Sequence, residues 1–130
     1  MSAIASVFIA TSLDGFIARA DGGLDWLDDA NATVPAGEDC GYGEFMQSVD
    51  ALAMGRRTYE KVRTFGPWAY GETPVIVLSR NPIVFPDEVP DCVTHSSESP
   101  RNCIDDCRAK EQRNSTSTAG LRFSVFCERD

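Results

Sequence analysis

Short apolar runs alternate with polar segments of helix length, and this alternation constrains the fold more than any other feature of the chain. Apolar, β-branched runs of this size are typical of buried strands. A serine followed by a proline at residues 99–100 marks the start of a further helix. Because strands that alternate with helices form parallel sheets covered on both faces, we predict an α/β fold. The predicted strands are residues 3–11, 51–54, 74–78 and 91–94, and the predicted helices are 44–49, 57–64 and one after Pro100, with a long loop over 26–41.

Length and composition indicate one globular domain and exclude several classes of protein. The chain has 130 residues, of which 42% are hydrophobic and 25% charged, and no apolar run is long enough to cross a bilayer. A net charge of −8 argues against binding to nucleic acid or an anionic membrane. The start lacks a basic signal region, and the five cysteines show no C-x-x-C spacing, so we expect a cytoplasmic protein without a metal site.

The charge is distributed unevenly along the chain. Residues 1–50 carry a net charge of −8 and residues 81–130 a net charge of −3, whereas residues 51–80 carry +3. The basic middle segment is explained either by solvated helix faces or by a local anion site. The position of its bases in the fold decides between the two.

The segment Met54-Gly55-Arg56-Arg57-Thr58-Tyr59 lies where a predicted strand meets a predicted helix. Such a junction presents unpaired backbone N–H groups and the positive end of the helix dipole, and a glycine lets a phosphate approach closely. An ordinary capped turn with exposed arginines explains the segment equally well. Ser79-Arg80, at the end of the next strand, is a weaker candidate for a second phosphate site.

Three other candidates have competing structural explanations. Asp14, just after the first strand, could bond a substrate or relay a proton, but an aspartate before Gly15 more often caps a turn. Trp26 and Phe16 could stack on a heterocycle, although aromatic residues more often belong to the core. His95, the single histidine, lies in a serine-rich stretch and is expected to be solvated.

Four segments in order resemble the dihydrofolate-reductase-like family that includes the reductase domain of bacterial riboflavin biosynthesis. They are residues 10–18, 21–27, 54–60 and 77–80, and Ser-Leu-Asp-Gly together with Gly-Arg-Arg-Thr-Tyr at this separation is quite specific. The resemblance implies a three-layer α/β/α sandwich over residues 1–110, with a mostly parallel central sheet truncated at its C-terminus. It also implies NADPH-dependent hydride transfer to a pyrimidine- or pteridine-type substrate, as in 5-amino-6-(5-phosphoribosylamino)uracil reductases.

The resemblance assigns roles to residues of this chain. A small heterocyclic substrate is the expected partner, and a homodimer is an open option. Asp14 is the implied catalytic residue and, with Trp26, the implied substrate contact. The implied NADPH-binding residues are Thr11, Gly55, Arg56, Arg57, Thr58, Ser79 and Arg80.

The pattern is lost in residues 111–130, where we expect a disordered tail because residues 111–118 include no apolar residue. Residues 121–126 could pair as a strand, but nothing in the sequence delimits one there. The family continues instead with a strand and a Gly-Gly turn that touches the cofactor. With suitable synonymous codons, a two-base shift from Ser115 onward reads Tyr-Val-Asp-Gly-Gly-Leu-Thr-Ile-Gln, which looks like that strand and turn. We therefore hypothesise a reading-frame slip near residues 111–115, and with it the alternative of a catalytically inactive nucleotide-binding remnant.

Overall fold

A computed structural model describes residues 4–113 and 122–126 of the backbone, and the side chains of residues 4–106. Five strands and four helices lie within this part of the chain. The strands are β1 (Ile4–Ser6), β2 (Ala51–Gly55), β3 (Val75–Leu78), β4 (Val93–Ser96) and β5 (Arg122–Phe126). The helices are α1 (Asp25–Asn31), α2 (Tyr42–Gln47), α3 (Arg56–Arg63) and α4 (Pro100–Arg113).

All strand pairs of the sheet are parallel, in the order β1-β5-β2-β3-β4. Parallel neighbours need crossover connections, and α3 supplies the one between β2 and β3. The carboxyl ends of all five strands consequently lie at the same edge of the sheet. The parallel sheet expected from the sequence is confirmed.

One face of the sheet carries the main apolar core. Leu52 and Met54 of β2 lie in register with Val75 and Val77 of β3, and all four side chains are fully buried. They share a face because side chains of a strand alternate with a period of two. Tyr59 of α3 packs into the same cluster, so α3 covers this face.

The opposite face is covered by α4. Ala51 and Ala53 are buried there with small side chains, which allow close approach. Cys103 of α4 is buried and lines a cavity with Ile76 and Thr94, which point away from the main core. Helices on both sides of the sheet give a three-layer α/β/α sandwich, as predicted.

The first strand differs from the expectation of a buried strand over residues 3–11. Only Ile4–Ser6 pairs with a neighbour, and Ile4, Val7 and Ile9 are about half exposed. The reason is position, because β1 is an edge strand of the described sheet and is bonded on one side, to β5.

Two further segments differ from the sequence-based expectation. The long loop expected over residues 26–41 contains α1, a short helix without a buried residue whose first turn carries Asp25 and Asp28, a favourable place for acids. The tail expected to be disordered from residue 111 contributes the end of α4 and the strand β5 between β1 and β2. Residues 114–121 and 127–130, where the frame-slip hypothesis largely falls, lie outside the described residues.

Within the described residues, no helix combines the length and the apolar character that crossing a membrane requires.

We expect Leu52→Ala to lower the free energy of unfolding by about 2–5 kcal/mol, because it leaves a cavity in the core between β2, β3 and α3. Val84→Ala is the matched control, since Val84 is 91% exposed and its truncation should change stability by no more than about 0.5 kcal/mol. Urea unfolding of both variants measures the difference. Equal effects would contradict the position of the core.

Candidate functional site

A cleft of about 1050 Å³ lies between the segment after β1, residues 15–22, and helix α3. It is the larger of the two cavities described here. From the helix it is lined by Arg57, Glu60, Lys61 and Thr64. The loop after the first strand and the basic helix, which the sequence analysis singled out separately, therefore form the walls of one site.

The periodicity of α3 explains why these helix residues reach the cleft. Positions 57, 60, 61 and 64 follow the i, i+3, i+4, i+7 spacing of a single helix face. Tyr59 and Val62, on another side, are buried in the protein. One amphipathic helix thus anchors itself in the core and presents the polar face to the cleft. Lys61 and Glu60 were missed in the sequence analysis, although their helical spacing from Arg57 was the signal that could have found them.

The opposite wall begins with a tight turn at Ser12–Phe16. The Ser12 hydroxyl donates to the Asp14 carboxylate, and the Phe16 N–H donates to Ser12 Oγ at 3.1 Å. Gly15 has φ +88°, a left-handed conformation that favours glycine. Phe16 lines the cleft and is 65% exposed, so an apolar ring is presented at the wall.

A second turn continues this wall and is held by an ion pair. The Arg19 N–H donates to Gly23 O at 3.0 Å, and the Gly22 N–H donates to Arg19 O at 2.9 Å. The Arg19 guanidinium binds both carboxylate oxygens of Asp25, at 2.7 and 2.9 Å. The hydrogen bond from Arg19 lowers the pKa of Asp25, and the same hydrogen bond raises the pKa of Arg19. The pair ties the cleft wall to the start of α1.

The start of α3 is open toward the carboxyl edge of the sheet. Gly55 is its N-cap, with φ −75° and ψ 167°, and no side chain of the described residues caps the helix. A Cβ placed on Gly55 would meet no described atom within 4 Å, so neither the backbone conformation nor packing demands glycine here. The space beside Gly55 is therefore free, and the positive end of the helix dipole has no side-chain cap among the described residues.

The end of β3 lies beside this helix start. Gly55 is in register with Leu78, so the following Ser79 and Arg80 emerge at the same edge of the sheet. The Ser79 N–H donates to Ser96 O at 3.0 Å, and Ser79 O bonds His95 Nε2 at 2.8 Å. Arg80 is exposed. The helix start at Gly55 and the strand end at Ser79 thus lie on neighbouring strands at the same edge of the sheet.

The remaining residues singled out from the sequence fall in different places. Arg57 lines the cleft, while Arg56 pairs with Glu60 one helical turn away, at 3.1 Å. Thr58 is half-buried in the first turn of α3. Of the predicted cofactor-binding residues only Arg57 lines the cleft, and the predicted substrate contacts Asp14 and Trp26 do not. The other predicted residues outside its lining are Thr11, Gly55, Arg56, Thr58, Ser79 and Arg80. Thr11 and Asp14 are exposed and Trp26 is half-buried in α1.

Within the described residues, no three side chains of histidine, cysteine, aspartate or glutamate are grouped to hold a metal ion.

Comparison with known proteins relates this architecture to two longer chains. No family model matches the chain. The uncharacterized protein YwjB of Bacillus subtilis (strain 168) is 42% identical over 84 residues, which cover 63% of this chain and 45% of that protein. The crystal structure of a "putative riboflavin biosynthesis protein" from Shewanella sp. PV-4 matches with a TM-score of 0.76 and 34% identity, over 98% of this chain and 65% of that one.

The match confirms the α/β fold with its parallel sheet, the dihydrofolate-reductase-like sandwich expected from the sequence. The truncation of the sheet that the sequence analysis also expected is not supported by the match. The chain spans less than two thirds of the length of each relative.

We expect the wall turn at Arg19–Gly23 to depend on pH through Asp25. Because the folded-state pKa of Asp25 is lowered, its ion pair contributes above the unfolded pKa and is lost as the pH falls through the folded pKa. Hydrogen exchange of the Arg19 amide, corrected for the intrinsic rate, should therefore speed up over this acidic range. Asp25→Asn should exchange faster than the wild type at neutral pH, and the difference should vanish as the pH falls through the folded pKa of Asp25. Asp28→Asn, which removes another acid of α1, is the control. Unchanged exchange of the Arg19 amide in Asp25→Asn would show that the turn at Arg19–Gly23 does not depend on the ion pair.

Proposed function

We propose that the protein is an NADPH-dependent reductase, resembling the riboflavin-biosynthesis and dihydrofolate reductases, that reduces a pyrimidine- or pteridine-type heterocycle. One observation carries the proposal. The uncapped start of α3 at Gly55 and the strand end at Ser79–Arg80 lie side by side at the carboxyl edge of the sheet. Ligands of open α/β sheets bind at this edge. The match to a protein named for riboflavin biosynthesis supports the same class.

The charges around the helix start suit a dinucleotide. Backbone N–H groups at residues 56–58 would hold a phosphate, and the open space at Gly55 allows it to approach. Arg57 and Lys61 add positive charge along the same helix. These three features attract anions in an otherwise acidic chain.

Ser79 and Arg80 would hold the phosphate on the adenosine ribose, which distinguishes NADPH from NADH. A guanidinium binds phosphate through charge-assisted and frequently bidentate hydrogen bonds, and the serine hydroxyl adds a neutral one. The proposal therefore predicts NADPH as the preferred cofactor. When bound, NADPH supplies the hydride, and the protein supplies position and electrostatics.

The substrate would lie in the cleft beside the wall formed by residues 15–22. Phe16 offers an apolar ring for stacking against a heterocycle. Asp14 remains our candidate for a substrate contact or proton relay, because a carboxylate two residues from Phe16 can accept a substrate N–H or transfer a proton. Trp26 is the second proposed substrate contact, from α1.

A second candidate function, nucleotide binding without turnover, is favoured by the surroundings of Asp14. Its carboxylate accepts a hydrogen bond from Ser12 within its own turn, and it is not among the residues that line the cleft. This arrangement is that of a turn cap. Oxidation of NADPH in the presence of pyrimidine and pteridine substrates separates the two functions, because only a reductase consumes the cofactor.

We expect Arg80→Ala to weaken NADPH binding by about ten- to a hundredfold and to leave NADH binding unchanged. The loss corresponds to roughly 1.5–3 kcal/mol for a hydrogen bond to a charged group. Calorimetric titration of both cofactors measures it. Arg101→Ala, at an exposed arginine in the first turn of α4, is the matched control. Equal affinity of the wild-type protein for the two cofactors would disprove the role of Arg80.

We expect Gly55→Ala to weaken cofactor binding while changing stability by less than about 1 kcal/mol. The added methyl meets no described atom, so the fold tolerates it, but it occupies the space through which a phosphate reaches the helix N–H groups. Gly71→Ala is the control with the opposite pattern. Because Gly71 has φ +55°, this change should lower the free energy of unfolding and leave cofactor binding unchanged. Calorimetry and urea unfolding together test the pair. Undiminished binding in Gly55→Ala would place the phosphate elsewhere.

A further inference from the structure

We propose that His95 is a positioning residue that fixes Arg80 for recognition of the ribose phosphate of NADPH. The inference rests on the proposed function and extends it to a residue outside the cofactor contacts. Its basis is the hydrogen bond of 2.8 Å between His95 Nε2 and the carbonyl oxygen of Ser79. Because a carbonyl only accepts, the imidazole is the donor in this bond.

The bond from His95 replaces a backbone hydrogen bond that is missing between β3 and β4. In the parallel ladder of β3 and β4, Val75 N–H donates to Cys92 O and Ser79 N–H donates to Ser96 O. The same pattern continued would join the Glu98 N–H to Ser79 O. Glu98 N–H instead donates to Ser96 Oγ at 3.2 Å. A side chain, His95, thus supplies the donor that the backbone no longer provides.

The consequence is that both backbone polar groups of Ser79 are held by β4. Its N–H is bound by a backbone carbonyl and its C=O by the imidazole. The peptide plane that joins Ser79 to Arg80 is therefore fixed, and the Arg80 side chain projects from a defined backbone. A guanidinium that starts from a fixed backbone loses less conformational entropy when it binds a phosphate.

The position of His95 in β4 explains how its imidazole reaches the carbonyl oxygen of Ser79. His95 is half-buried, in register with the buried Val77. It borders a cavity of about 240 Å³ at the end of β4, together with Ser96 and Glu98. Val77 lies two residues before Ser79 on β3, so the imidazole reaches along the neighbouring strand to the Ser79 carbonyl. This finding also corrects the expectation of a solvated histidine, because the histidine lies within a strand.

The test compares His95→Leu with His95→Gln, because glutamine keeps an amide donor at a similar reach and leucine has none. The probes are adenosine 2′,5′-bisphosphate and adenosine 5′-monophosphate, which differ by the ribose phosphate. We expect His95→Leu to weaken the bisphosphate by about three- to tenfold, as for the loss of one hydrogen bond, and to leave the monophosphate unchanged. His95→Gln should restore most of the affinity. Thr94→Val, in the same strand and cavity, is the matched control.

A double-mutant cycle and a measurement without ligand make the test decisive. In the Arg80→Ala background, His95→Leu should cause no further loss, since its effect acts through Arg80. Backbone relaxation of the Arg80 amide in the ligand-free protein should show a less ordered residue in His95→Leu than in the wild type. Equal weakening of both probes, a loss that persists without Arg80, or an unchanged Arg80 amide would overturn the proposal.

Failure of the two proposals is distinguishable. If the wild-type protein binds neither probe, the proposed function fails and the role of His95 in phosphate recognition fails with it. The relaxation measurement then still decides whether His95 holds the turn at Ser79–Arg80. If the wild type prefers the bisphosphate but His95→Leu keeps that preference, the proposed function stands and the role of His95 is wrong.

Discussion

The parallel pairing of β2 with β3 is the interaction on which the rest of the structure depends. It aligns Leu52 with Val75 and Met54 with Val77, and burial of each of these side chains stabilises the fold by about 1.5–3 kcal/mol. A slip of one residue would turn a strand's whole apolar set to the other face, so the register is strongly specified. The same register sets Gly55 opposite Leu78. Core and candidate site are therefore fixed by one set of hydrogen bonds.

The elements around this pair could be predicted because their sequence signals are local. The strands expected at 51–54 and 74–78 are found at Ala51–Gly55 and Val75–Leu78, and the helix expected at 57–64 is α3. Each apolar run has the right length, and glycine or proline lies near its boundaries. Tyr59 is the aromatic residue of the Gly-Arg-Arg-Thr-Tyr segment, and its side chain is one that α3 buries in the core. Arg57, three residues after Met54, could likewise be assigned to the site.

The parts that could not be predicted depend on pairing between distant segments. An apolar run such as residues 4–9 looks like a buried strand, but burial depends on whether strands lie on both sides, and β1 is at an edge. Nothing local indicates that residues 122–126 pair with both β1 and β2. β3, by contrast, has neighbours on both sides, and its Val75 and Val77 are fully buried. The serine-rich sequence around His95 indicates a solvated side chain. It does not indicate that the imidazole bonds the carbonyl oxygen of Ser79 where the backbone hydrogen bonds between β3 and β4 end.

The uneven charge of the sequence has a consequence once the cleft is known. The α3 wall carries Arg57, Lys61 and Glu60, which leaves a net positive charge. The loop wall carries Asp21 and Arg19, whose charges offset each other, and Arg19 is also paired with Asp25. The excess of positive charge therefore lies on the helix side of the cleft. The proposed function accordingly places the anionic part of a ligand at α3 and its uncharged heterocycle against Phe16, where the charge of the wall has little effect on it.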